Sequence, residues 1–192
     1  MTAASVLTQM IRLHQIICGH VKTDDGEVKS IKSNRVKELL EVLEETNGKV
    51  IIWAVYRYDI QEIEKTLGEK YGKESVATYY GDTKDSIRQS IVDRFMDADD
   101  DLRFFVGNPK TGGYGLTLTS SHTVVYYSND YSLEVRLQSE DRAHRIGQTN
   151  KVTYVDLMAD HTIDEKIVKA LNAKIDLASQ VMGEDPKKIL FG

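Results

Sequence analysis

The 192-residue chain has a single cysteine, Cys18. No intrachain disulfide and no cysteine-built zinc site is possible, which fits a reducing compartment. Prolines are scarce, Pro109 and Pro186, and this argues against long disordered linkers. No apolar run approaches the roughly 20 residues of a membrane span. The opening segment, MTAASVLTQMIRLHQIICGH, lacks the basic start and unbroken apolar stretch of a signal peptide. A surplus of positive charge is also missing. The formal net charge is −5, so any contact with nucleic acid has to use a local basic patch. The run Asp97, Asp99, Asp100 and Asp101 reads as a solvated loop.

Charged residues make up 29% of the chain and hydrophobic residues 41%, a balance that suits one soluble domain with helical extensions. Leu7, Met10, Ile11, Leu13, Ile16 and Ile17 predict a helix with one apolar stripe. The polar stretch HVKTDDGEVKS, 20–30, reads as a loop. Ser33 is placed to cap a helix over 34–46 that turns Val36, Leu39, Leu40 and Leu43 inward and ends at Asn47 and Gly48. Five short β-rich runs follow: KVIIWAVY at 49–56, SVATYY at 75–80, LRFFVG at 102–107, HTVVYYS at 122–128 and KVTYVDLM at 151–158. Helical patterns lie between and after them, at 58–67, from Asp82 or Thr83 to Phe95, at 133–145 and at 164–180. This alternation predicts an α/β fold, a doubly wound and mostly parallel sheet with helices on both faces. Ligands of such sheets bind beyond the carboxyl ends of the strands, so the residues just after each strand carry the functional information.

Three segments stand in such places. On a continuous helix Gln138, Arg142 and Arg145, spaced by four and three, share one face. Two guanidiniums pointing one way suit a polyanion such as a triphosphate, because arginine offers fixed, bidentate donors to phosphate oxygens. The same spacing also suits an exposed surface helix. GNPKTGGYGLTL, 107–118, puts glycines at a strand end, where backbone N–H groups can cradle an anion or where the chain simply turns. A helix starting near Thr83, within YYGDTKDSIR at 79–88, presents free N–H groups and a positive dipole end, a phosphate site or an ordinary capped helix. Asp82 would repel phosphate there, and Arg88 is placed either to reach out or to brace the domain. Trp53 and Tyr56 read as core or cleft wall rather than as stacking platforms.

The string QSEDRAHRIGQ, 138–148, resembles the sixth helicase motif of Swi/Snf-type helicase-like ATPases, Q-x-x-x-R-x-H-R-I-G-Q, and a match of that length is highly specific. Residues 107–118 resemble the fifth motif, usually S-T-K-A-G-G-x-G-L-N-L. Lys110, Gly112, Gly113, Gly115, Leu116 and Leu118 match it; Asn108, Pro109, Thr111 and Thr117 depart, and Pro109 removes a backbone donor. Residues 79–88 with Phe95 look like G-x-T-x-x-x-x-R…F, and VIIWAVY looks like the fourth motif, usually V-L-I-F-S. DLMADHTIDEKI, 156–167, is similar to the stretch after the sixth motif, with Thr162 and Glu165 forming a capping box. The resemblance covers roughly 7–171. It implies a RecA-like C-terminal lobe over 31–160, an N-terminal bracing helix and loop over 1–30 leading from a first lobe, and a C-terminal bracing helix and tail over 161–192.

By that resemblance Arg142 and Arg145 emerge side by side at an open rim as catalytic groups offered to the γ-phosphate of ATP. Arg145 is the foremost choice for an arginine finger, a device worth about 10³–10⁵ in rate. Gln138, Gly113 and Gly115 would border the nucleotide. Lys110, Thr111, Gly81, Thr83, Lys84 and Arg88 would meet the DNA backbone. His144 is assigned to packing or hydrogen bonding rather than to base catalysis. The 192 residues contain no Gly-x-Gly-Lys-Ser/Thr loop and no Asp-Glu box. ATP with Mg²⁺ is therefore expected to be held mainly by an N-terminal RecA-like lobe, and this chain alone is expected to be a monomer without turnover. The implied function is the second motor lobe of an ATP-dependent double-stranded DNA translocase, with no metal site of its own and no membrane. Its location would be cytoplasmic in a bacterial, archaeal or phage source, or nuclear in a eukaryote. The alternatives are a lobe of a strand-separating DNA or RNA helicase, a non-catalytic RecA-like docking module, and a flavodoxin-like or nucleotide-sugar enzyme. The last would need a phosphate loop after the first strand, and AVYRYD is a poor one.

Overall fold

The apolar runs form strands buried on both faces, as their composition requires. The computed structural model describes residues 3–111, 116–145, 148 and 151–182. Its elements are α1 (Ala3–Cys18), β1 (His20–Lys22), β2 (Val28–Ser30), α2 (Arg35–Glu44), β3 (Val50–Trp53), α3 (Arg57–Tyr71), β4 (Val76–Tyr79), α4 (Asp85–Met96), β5 (Phe104–Gly107), β6 (Thr123–Tyr126), α5 (Leu133–Asp141), β7 (Thr153–Asp156) and α6 (Ile163–Met182). Five strands pair in parallel in the order β4-β5-β3-β6-β7. The registers align Trp53, Tyr79, Gly107, Tyr126 and Asp156 at the carboxyl edge. The expected α/β, doubly wound sheet is present, and it is wholly parallel.

Alternation along the strands divides the core in two. Val50, Ile52, Phe104, Val106 and Val125 meet Leu39 and Leu43 of α2 and Ile60, Ile63 and Leu67 of α3. Ile51, Trp53, Phe105, Val124 and Tyr126 face the other way, against Ile91 and Phe95 of α4 and Ala143. A one-residue slip of β3 would exchange these sets, so packing on both faces fixes its register.

Four expectations need correction. Residues 20–30 are not simply a loop: β1 and β2 pair as an antiparallel hairpin, His20 opposite Ser30, and Gly26 takes a positive φ of 85° in the turn. The helix over 133–145 stops at Asp141, because the Arg142 carbonyl accepts a hydrogen bond from the Leu118 N–H at 2.8 Å instead of continuing the helical ladder. The helix after β4 begins at Asp85, not at Thr83. In α1 the apolar stripe is largely outside, with Leu7, Ile11, Leu13 and Ile16 exposed; His14 and Cys18 are what α1 buries. Among the described residues no helix is long and apolar enough to cross a membrane.

The reason α1 buries a histidine lies in a polar node beyond the ends of β6 and β7. Asp164, at the start of α6, pairs with Arg35 of α2. Arg35 also donates to the Tyr127 carbonyl and, at 3.1 Å, to that of Leu157. Asp164 lies 3.5 Å from His14 Nε2 and accepts from the Ala159 N–H, while the Tyr56 hydroxyl is 3.0 Å from His14 Nδ1. The node joins α1, α2 and α6 to the sheet, and it fills that half of the carboxyl edge.

Candidate functional site

The other half of the edge, over β4, β5 and β3, holds the residues singled out from sequence. β5 ends at Gly107, and Asn108 begins the loop. Its backbone N–H donates to the Tyr79 carbonyl at 3.1 Å, its side-chain amide donates to the Val55 carbonyl at 2.8 Å, and its side-chain oxygen accepts from the Lys110 N–H at 2.9 Å. An Asx turn of this kind substitutes for backbone pairing. It ties the loop to the ends of β3 and β4 and fixes Lys110 and Thr111, whose N–H donates to the Asn108 carbonyl at 2.9 Å. Asn108 departs from the fifth motif, and these bonds are its physical role here.

Arg142 caps the C-terminus of α5 and turns inward rather than out to a rim. It is 5% exposed, with its guanidinium carbon 5.1 Å from the centre of the Trp53 ring, and it donates to the Thr111 carbonyl at 3.0 Å. That is the guanidinium's single hydrogen bond among the described residues, and no carboxylate pairs with it there. Burial pushes its pKa down from the ordinary arginine value, yet an arginine keeps its proton. The result is a buried cation with most of its donors unspent. Arg145, by contrast, is exposed and donates to the Thr117 hydroxyl at 2.7 Å. The two arginines thus reach the loop after β5 on either side of 112–115. Gly113 and Gly115, expected to border a nucleotide, lie outside the described residues, as do 146–147 and the tail from 183.

The remaining candidates divide. Gln138 is half-buried and donates along the helix to Glu134 at 3.0 Å, so its amide points back along α5. His144 is exposed rather than packed. Gln148 staples the turn, donating to the Thr119 carbonyl at 2.9 Å. Lys110 is exposed and pairs with Asp130 at 2.7 Å. Gly81 and Lys84 are exposed, and a side chain at Gly81 would meet open space. Thr83 does not offer its hydroxyl outward. It donates to the Thr78 carbonyl at 3.1 Å and accepts from the Tyr80 N–H at 3.0 Å. Arg88 takes the bracing role, donating to the Thr83 and Tyr80 carbonyls, pairing with Asp85 and lying over the Tyr79 ring. Asp82 is held by Arg57 at 2.5 Å. The outward cations of this edge are therefore Lys84, Lys110, Arg57 and Arg145.

Sequence reading passed over Trp53 as a functional neighbour and Asn108 as a hub. Only the pairing of β3 with β5 brings them to one place, and no local spacing signals it.

Comparison with known proteins finds relatives of the chain in sequence and in fold. The model of the helicase conserved C-terminal domain matches residues 31–147. The ATP-dependent helicase fft2 of Schizosaccharomyces pombe is 31% identical over 185 residues, 95% of this chain but 14% of that protein. Among solved structures, the Sulfolobus solfataricus SWI2/SNF2 ATPase core in complex with dsDNA superposes with a TM-score of 0.69 at 25% identity, over 91% of this chain and 36% of that one. The C-terminal part of the Fun30 ATPase domain superposes with a TM-score of 0.65 at 26% identity, over 73% and 46%. The chain thus spans a small part of the full-length relatives it matches.

Proposed function

Since the chain belongs to the helicase conserved C-terminal domain family, as a C-terminal lobe of the Swi/Snf type, we propose that it is the second motor lobe of an ATP-driven translocase on double-stranded DNA. The observation that carries this reading is Arg142: a buried guanidinium with one hydrogen bond and no carboxylate partner among the described residues. A buried charge left without a counterion costs several kcal/mol. A protein retains such a group where negative charge arrives during function. The γ-phosphate of ATP, presented by a first lobe, is that charge.

In this reading Arg142 is preorganised, held by Trp53 and Thr111 before nucleotide arrives, and Arg145 is the finger, exposed and free to leave Thr117. Phosphoryl transfer is governed by positioning and by stabilisation of charge on the transferring oxygens, which two fixed guanidiniums supply. Arg142 itself is a cation, and among the described residues no carboxylate pairs with it. This suits phosphate oxygens and not the Mg²⁺ that accompanies ATP, which we assign to the first lobe. Lys84 and Lys110 are the outward cations for the DNA backbone, a salt-sensitive and nearly sequence-independent contact.

The test is DNA-stimulated ATP turnover with the first lobe present. Arg142→Ala and Arg145→Ala are each expected to lower kcat by about 10³. Turnover left intact by both substitutions would end the assignment. This chain by itself is expected to bind ATP weakly and to hydrolyse none.

A further inference from the structure

We propose that Trp53 is the positioning residue of Arg142: its indole face is the platform that keeps the guanidinium aimed at the incoming phosphate. The inference rests on reading Arg142 as the phosphate-directed cation.

Trp53 closes β3 and is fully buried on the α4 side of the sheet. Its ring meets Phe105 edge to face at 5.9 Å, and the Arg142 guanidinium lies 5.1 Å from its centre. Two features are hard to explain by packing alone. The indole Nε1 is buried without a hydrogen-bond partner among the described residues, a cost that a phenylalanine in the same place would not carry. Next to it, β5 ends on a residue that has to be glycine. A Cβ on Gly107 would come within 2.8 Å of Trp53 Cζ3 and 2.9 Å of the Tyr79 carbonyl oxygen. The strand end is cleared of side-chain volume so that a large ring can lie flat there. Tryptophan has the strongest π-face for holding a cation, and the attraction grows when the pair is removed from water, as here. It also holds the cation without neutralising it. A carboxylate would fix Arg142 equally well but would cancel the charge that the phosphate needs.

Because Trp53 is the sole tryptophan of the chain, it reports on the pair directly. In the 192-residue chain, Arg142→Met should shift the Trp53 emission maximum, since a cation over one face of the indole changes the energy of its excited dipole. Unchanged emission would show that the two groups do not meet, and the proposal falls.

Turnover with the first lobe present supplies the second arm. Trp53→Phe, which keeps a ring, should lower kcat by about threefold. Trp53→Leu should lower it by about ten- to thirtyfold, with KM for ATP within about twofold in both. On an Arg142→Ala background Trp53→Leu should cost nothing further, because its effect passes through Arg142. Full additivity with Arg142→Ala, or unchanged kcat in both Trp53 variants while Arg142→Ala abolishes turnover, would overturn the proposal. If Arg142→Ala itself leaves turnover intact, the functional reading fails, and the emission arm still decides whether the pair exists. Should Trp53→Leu fail to fold, Trp53→Phe carries the same test.

Discussion

Arg136 and Arg142 sit on the same stretch of chain, and each lies over an aromatic ring at the end of a strand, yet they are treated in opposite ways. Arg136 is 3.6 Å from the centre of the Tyr126 ring and donates to Glu140 at 2.6 Å, to Asn129 at 2.8 Å and to both oxygens of Asp156 at 2.5 and 3.2 Å. Burial alone would lower its pKa, but Tyr126, Asp156 and Glu140 outweigh that and hold it above the usual arginine value. Arg142 lies over Trp53 with one carbonyl for company, and burial lowers its pKa. Where the fold uses a buried cation as a joint, it surrounds it with carboxylates. Where it leaves one uncompensated, the partner is expected from outside.

Stability measurements separate the two most sharply. Arg136→Met removes the cation shared by buried Glu140 and half-buried Asp156 and should cost about 3–5 kcal/mol. Arg142→Met loses one hydrogen bond and a cation–π contact but also removes a poorly solvated charge. It should stay within about 1 kcal/mol of the parent. Denaturant unfolding of the 192-residue chain reads both, and equal losses would erase the distinction between joint and site.

A second joint tests whether the pattern is general. Asp164→Asn removes the carboxylate shared by Arg35, His14 and the Ala159 N–H. The expected cost is about 3 kcal/mol, since Arg35 is left with two carbonyls and no counterion. Hydrogen exchange of the α1 amides should quicken, because His14 anchors α1 through this node. No change in exchange would mean that α1 is held by other contacts.

Acid should act on the same joint and spare the site. Burial lowers the His14 pKa from 6.5 to about 4, against the pull of Asp164; Arg35 and His20 lower it further and Asp130 opposes them. A depressed pKa means that the unfolded chain takes the proton first. The contribution of neutral His14 is complete above pH 6.5 and is lost as pH falls from 6.5 to about 4. The shift corresponds to about 3 kcal/mol. Asp59 works the other way. Burial raises its carboxyl pKa, so its cost is felt above the ordinary carboxylate range and is relieved by acid. The relief at Asp59 offsets part of the His14 loss, and a net loss of stability on acidification through that window is expected. His14→Asn cannot take up the proton and should flatten the limb.

How far the sequence could be read follows from where each feature gets its cause. The strands were legible because both faces of β3, β5 and β6 are buried, which leaves unbroken apolar runs. The β1–β2 hairpin was not: its strands are three residues long and every side chain of β2 is exposed, so no alternation marks it. The Asp25-Gly26 pair in its turn was the one available signal. The sixth-motif string identified the arginines, but their surroundings depend on distant residues. Leu118 ends α5, Trp53 draws Arg142 inward, and Thr78 and Tyr80 occupy the Thr83 hydroxyl. Local spacing pointed to the residues; the exposure of each was decided by residues far away in the chain.

The smallest predicted effect probes the link between scaffold and site. Asn108→Ser installs the residue usual in the fifth motif. A serine hydroxyl can still accept from the Lys110 N–H in an ST turn, but it cannot reach the Val55 carbonyl that the Asn108 amide contacts at 2.8 Å. The loss should be about 1 kcal/mol in unfolding free energy, the worth of one intramolecular hydrogen bond. The turn would stay but its tether to β3 would be gone. The Thr111 carbonyl then holds Arg142 less firmly, and kcat with the first lobe present should fall about two- to threefold. That drop should vanish on an Arg142→Ala background, because Asn108 touches the chemistry only through the carbonyl that Arg142 uses.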